Sequence, residues 1–147
     1  STSISATFNL ASASYFIRVE NNDGNAVRSS SAILSASASP TFSTSAGSIG
    51  TVAAGSTVSL SVAASSDSTV AFSETTSVLT SNSNTPASTM NLTLNSSTGA
   101  ITGTAPSPTS DTTYNFTIRA TDAESQTADR DFSITVSVGI NNSGQFN

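Results

Sequence analysis

Apolar residues recur at every second position along most of the chain, the period that puts them on one face of a β-strand. Tyr114, Phe116, Ile118 and Ala120 alternate with Asn115, Thr117 and Arg119. Phe132, Ile134, Val136 and Val138 repeat the pattern, as do Val58, Leu60 and Val62. Val70 with Phe72, and Leu92 with Leu94, mark two shorter strands. No stretch carries the 3.6-residue period of an amphipathic helix. Polar turn clusters separate the runs: Ser65–Ser68, Ser81–Ser88 with Pro86, Asn95–Gly99 and Asp122–Asp129. Short strands repeating about every 8–12 residues over 41–138 predict an all-β, antiparallel sandwich.

The first 40 residues follow the same rule but are too few for a sandwich of their own. Ile4, Ala6 and Phe8 alternate, then Tyr15, Ile17 and Val19, and Val27, Ile33 and Leu34 lie in a third extended stretch. Asn21-Asn22-Asp23-Gly24-Asn25 is a strong turn signal between the second and third. The pattern predicts a partial β-meander over 1–40. Pro40, which holds its predecessor extended, forms the joint. The Asn- and Gly-rich residues 139–147 read as a linker. A start at Ser1 within a strand pattern suggests a processed chain or a piece of a longer one.

Composition narrows the chemistry. Ser and Thr exceed a third of the 147 residues, charged residues are 9%, and Cys, His, Trp and Lys do not occur. Without Cys or His there is no disulfide, no Ser-His-Asp triad, no Cys nucleophile, and none of the usual zinc, iron–sulfur or haem ligands. The net charge of −5 argues against nucleic acid or anionic lipid as partner. No apolar run approaches the roughly 20 residues of a membrane-spanning helix. These features point to a non-enzymatic chain held by its core alone.

The run Leu92-Thr93-Leu94-Asn95-Ser96-Ser97-Thr98-Gly99-Ala100-Ile101-Thr102-Gly103-Thr104-Ala105-Pro106 resembles the hallmark of the putative-Ig, cadherin-like repeat family, with Ala105 displacing the usual proline. The resemblance continues through Tyr114–Asp122 and ends at Phe132–Val136. It implies an immunoglobulin-like, cadherin-like sandwich of about seven strands over 41–138, serving as a spacer or adhesion module. Physical reasons attach to its residues. Thr98-Gly99 makes a tight turn needing positive φ, Gly103 allows close strand approach, Ile101 points to the core, and Tyr114 is placed as a tyrosine corner. The run Tyr15–Val27 resembles the last hairpin of an IPT/TIG-type Ig module. Tandem Ser/Thr-rich, Cys-free modules of this kind resemble tailed-phage virion structural proteins, and also bacterial surface adhesins. The resemblance implies a virion or extracellular location. It also implies assembly with other subunits, a homo-oligomer or filament among them, through β-edges, for which Tyr15–Glu20 and Arg130–Val138 are the candidates. A cell-surface receptor is a further expected partner.

Three sharper readings compete with bland ones. Asp122, Glu124 and Asp111, with Asp67 further off in sequence, are candidate calcium ligands, as in cadherin-like repeats; alternatively they are solvated turn acids. Asp129 and Asp131 share one side of a strand and are a candidate hydrolytic pair, or else charges guarding a sheet edge. Asn91, Asn95, Asn115 and Asn141 match the glycosylation signal, which arises easily in so Ser/Thr-rich a chain. An accessory carbohydrate-binding module is a third functional class, disfavoured by scarce aromatics. No cofactor is expected apart from calcium.

Overall fold

The computed structural model describes residues 10–11, 13–20, 22–28, 34–81 and 88–139. The readings at Ile4–Phe8, Ile33, Pro86, Asn141 and the tail beyond Gly139 lie outside those residues. The chain divides into two compact units, Ser1–Ala38 and Ser39–Asn147.

In the first unit, β1 (Ala13–Tyr15) and β2 (Arg18–Glu20) follow one another, and β3 (Ala26–Arg28) and β4 (Leu34–Ala36) return. β2 pairs with β3 and β1 with β4, both antiparallel, so the ladders are nested around the predicted turn that holds Asp23-Gly24. The run expected as one strand is interrupted at Phe16-Ile17. There the Arg28 guanidinium stacks 4.0 Å over the Phe16 ring.

The second unit begins with β5 (Thr41–Phe42), β6 (Gly47–Ala53), β7 (Thr57–Ser61) and β8 (Ala64–Ser65). It continues through β9 (Ala71–Glu74), β10 (Thr93–Leu94), β11 (Ala100–Thr104), β12 (Thr112–Thr121) and β13 (Thr127–Ser137). One sheet has the order β10-β11-β7, and β5 and β8 form a separate two-stranded ladder. The other has the order β6-β13-β12-β9. Every described ladder is antiparallel except β6 with β13, which run parallel.

The period-two pattern is what closes the two sheets. Tyr114, Phe116, Ile118 and Ala120 on β12 and Phe132, Ile134 and Val136 on β13 all point inward and are buried. Facing them are Val58, Val62, Leu92 and Ile101 from the other sheet, with Leu79 and Met90 from the connecting segment. Phe42 packs edge-on against Phe132 at 5.7 Å and tilted against Phe72 at 6.3 Å. Each buried side chain of this size contributes about 1.5–3 kcal/mol, which explains how a disulfide-free sandwich can hold.

Two expectations are corrected. Asp122–Asp129 is not all turn: β12 runs to Thr121 and β13 starts at Thr127. The polar residues Thr127, Asp129 and Asp131 alternate outward while Ala128 and Arg130 face in, so the strand continues without an apolar signature. Nor is Arg130–Val138 a sheet edge. From Phe132 to Ser137 β13 is hydrogen-bonded on both sides, to β12 and β6, so that stretch offers no free edge.

Candidate functional site

The hallmark turn is a closed hydrogen-bonded unit. The Asn95 side-chain oxygen accepts the backbone N–H groups of Ser97 and Thr98, both at 3.0 Å. The Gly99 N–H donates to the Asn95 carbonyl at 2.9 Å, and the Asn95 N–H to the Ala100 carbonyl at 2.8 Å. The turn then bridges the sandwich. Val62 N–H donates to the Gly99 carbonyl, and Phe72 N–H on the opposite sheet donates to the Ser96 carbonyl at 2.7 Å. Gly103 has φ +142, and a Cβ there would come within 2.9 Å of Leu92 Cδ2. Ile101 is fully buried between the sheets. Tyr114, the third residue of β12, is also buried, and loss of water pushes its phenol pKa up.

The entry and exit of the chain are tied to the same sheet. Ser39 Oγ donates to Gln126 Oε1 at 2.8 Å, next to the β12–β13 turn. Arg130 reaches from β13 to the carbonyls of Phe42 (3.2 Å) and Thr44 (2.7 Å), with its guanidinium 5.4 Å above the Phe42 ring. β6 then runs parallel to β13 from Gly47 opposite Phe132 to Ala53 opposite Ser137, with one bulge between Ser133 and Ile134. The Ala54 N–H adds a bond to the Ser137 carbonyl at 2.9 Å. At the far end Val138 N–H donates to Asp111 Oδ1 at 2.7 Å.

The acidic residues sort differently from the sequence reading. Asp67, Asp122 and Glu124 bring carboxylate oxygens within 4.8 Å of one another. Asp111 is not with them. It precedes β12 and Asp122 follows it, so at about 3.3 Å per residue the ten-residue strand holds them on the order of 30 Å apart. An all-oxygen set of three carboxylates suits a hard cation such as calcium. As built, however, the protein's own donors occupy it. Asp122 Oδ1 accepts the Gln126 N–H (2.7 Å), and the Ser66 hydroxyl lies between Asp67 Oδ1 (3.1 Å) and Asp122 Oδ2 (3.4 Å). Ser68 Oγ donates to Glu124 Oε2 at 2.5 Å and accepts the Ala123 N–H at 3.2 Å. The cluster ties residues 66–68 to the β12–β13 turn.

A family model described as "Putative Ig domain" matches residues 39–137. The chain belongs to that family. No curated protein sequence matches it. Among solved structures, a PcdhgB3 EC1-4 chain superposes with a TM-score of 0.55 at 17% identity, covering 86% of this chain and 39% of that one. Titin domains z1z2 in complex with telethonin give 0.47 at 19% identity, covering 86% and 61%. Sidekick-1 immunoglobulin domains 1-5 give 0.45 at 20% identity, covering 80% and 23%. The chain thus spans well under half of the PcdhgB3 chain, and the likeness is one of fold.

Within this Ig-like domain, the proposed hydrolytic pair is otherwise employed. Arg119 makes a bidentate pair with Asp129, at 2.7 Å for each bond, and the hydrogen bond and charge of Arg119 hold the Asp129 carboxyl below its ordinary range. A general acid needs the opposite shift. Asp131 Oδ1 accepts the Thr117 hydroxyl at 2.7 Å. Both carboxylates lie on the solvent face of the sheet, beside the Thr113–Thr135 hydroxyl pair at 3.0 Å.

Glu74 gave no signal in the sequence. Its Oε1 accepts the N–H groups of Val78 (2.6 Å) and Leu79 (2.8 Å) and the Thr76 hydroxyl (2.9 Å). Its Oε2 accepts the Thr80 N–H (2.9 Å) and hydroxyl (2.8 Å). Burial pushes the carboxyl pKa up, but the bonds from Leu79, Thr80 and Val78 outweigh it and the net shift is downward. The only hint was an acid followed by small donors, Thr75-Thr76-Ser77, in a chain more than a third of which is Ser and Thr.

Proposed function

We propose that the protein is a non-catalytic structural and adhesive Ig-like module that bears load along the chain. The observation carrying this is the parallel β6–β13 ladder. It joins β6, the first long strand after the β5 entry segment, to β13, the strand by which the chain leaves. Ser39 lies at the β12–β13 turn end, and Val138 at the other. Traction through the two ends therefore pulls β6 and β13 past each other, and the ladder is loaded in shear with its pairs acting together. Arg130 fastens residues 42–44 before that load arrives.

The finer reading is a spacer and subunit-contact element of a phage virion, in a tail, neck or head-decoration fibre, working outside the cell. It is supported by the Cys-free, Ser/Thr-rich composition and by an Ig-like sandwich preceded by a second β unit. Two measurements test the proposal. Ala54→Pro removes the Ala54–Ser137 bond and should lower the force that unfolds the sandwich through its ends; an unchanged force overturns the load-bearing role. Mass spectrometry with electron microscopy of purified particles should find the chain at a fixed symmetry in a virion. Recovery from a bacterial surface fraction instead replaces the virion reading with that of an adhesin or filament repeat.

A further inference from the structure

Three edges of the second unit, β6, β9 and β10, are poor docking strands. β6 carries a bulge and has Gly50 pressed on Leu60, with Leu60 Cδ2 3.2 Å from a Cβ built there. On β9, the Phe72 N–H is spent on Ser96 and the Glu74 carboxylate folds residues 76–80 back. β10 has two residues. Bulges, short strands and covered edges are the devices that block strand addition.

The β2–β3 hairpin is the reverse. Val19 and Val27 are register partners, so they share one face, yet they are 57% and 75% exposed. Ile17 beside them is 47% exposed. A two-stranded ribbon with a bare apolar face is marginal in water, and about three or more strands are needed for it to stand. Among the described residues, no strand lies on the outer side of β2.

The sequence of that strand indicates its partner. β2 reads Arg18-Val19-Glu20, and Arg18 and Glu20 form an ion pair within the strand. Set antiparallel against a second copy about a two-fold axis at Val19, Arg18 of each faces Glu20 of the other and the two Val19 side chains meet. β3, Ala26-Val27-Arg28, has no such self-complementarity, because its own dyad would place Ala26 against Arg28. We infer that β2 is a homodimerisation edge, pairing with β2 of a second copy to make a four-stranded sheet with a shared valine stripe. The exposed intra-strand pair gives up little when its members exchange partners, since such pairs are worth about 0–1 kcal/mol.

This edge is independent of the load-bearing ladder, so each can fail alone. The test is sedimentation equilibrium of the full chain over a concentration series, with charge variants. The unaltered chain should self-associate to a dimer. Arg18→Glu and Glu20→Arg should each weaken the dimer about tenfold, because two opposite-charge cross-strand pairs become like-charge pairs. Mixing the two variants should restore dimerisation as a heterodimer, and the double exchange R18E/E20R should restore it in one chain. A chain that stays monomeric at the highest concentrations, as it would if a different partner covers this edge, overturns the inference. So does a dimer indifferent to both charge reversals.

Discussion

Gly99 and Val62 are locked backbone to backbone. The Gly99 carbonyl accepts the Val62 N–H at 3.0 Å, and a Cβ on Gly99, whose φ is +70, would lie 2.2 Å from the Val62 carbonyl oxygen. Only glycine suits both the left-handed conformation and the contact. Gly99→Ala should therefore cost more than the strain of the turn alone, about 2–4 kcal/mol, by moving the turn that bridges the two sheets. Urea denaturation of the variant measures it. A loss under about 1 kcal/mol would mean that the turn relaxes freely.

Glu74 predicts a pH dependence. Its folded pKa lies below the ordinary 4.5, so its contribution is fully present above that value and fades as pH falls through the lower folded one. Asp129, lowered by Arg119 from 3.8, acts in the same direction. Stability should be flat near neutrality and decline at acid pH below about 4.5. Glu74→Gln presents an amide to donors that need acceptors; it should cost about 2 kcal/mol at pH 7 and flatten the acid decline.

The two arginines of the main sheet should behave unlike each other. Arg119 and Asp129 are both more than 40% exposed, and Arg119→Ala should leave the melting temperature nearly unchanged. Arg130 is the only described side chain that binds the Phe42 and Thr44 carbonyls, and it covers the Phe42 ring. Arg130→Ala should cost about 1–3 kcal/mol, and Lys should recover part of the loss. Thermal unfolding of both variants orders them.

Calcium offers a further check. Asp67, Asp122 and Glu124 already accept protein hydrogen bonds from Ser66, Ser68 and Gln126. Millimolar calcium should leave the melting temperature within about 2 °C, whereas a ligand present far above its Kd would raise it by more. Asp122→Asn should still destabilise, because Asp122 is buried and shapes the turn to Gln126.

How much of this was legible follows from the range of each interaction. Strands β7, β12 and β13 and the Asn95–Gly99 turn could be read, because alternation and turn chemistry act over a few residues. The identity of the edge strands could not. Alternation says which side chains face the core and nothing about which strand lies beside which, so β13 looked available although β6 covers it. The Asp67–Asp122–Glu124 grouping crosses from one loop to another over 55 positions, whereas Asp111 looked nearer only along the chain. Arg130 drew no reading of its own because its acceptors are backbone carbonyls, which leave no trace in side-chain pattern.

Direction of loading puts the mechanical account at most risk. In single-molecule pulling, attachment at Ser39 and Gly139 loads the β6–β13 ladder in shear. Attachment at Ser110 and Gly139 instead peels β12 from β13, beginning at Thr112 and Val136. The sandwich should resist a higher force in the first geometry than in the second; equal forces, or the reverse order, would contradict the account.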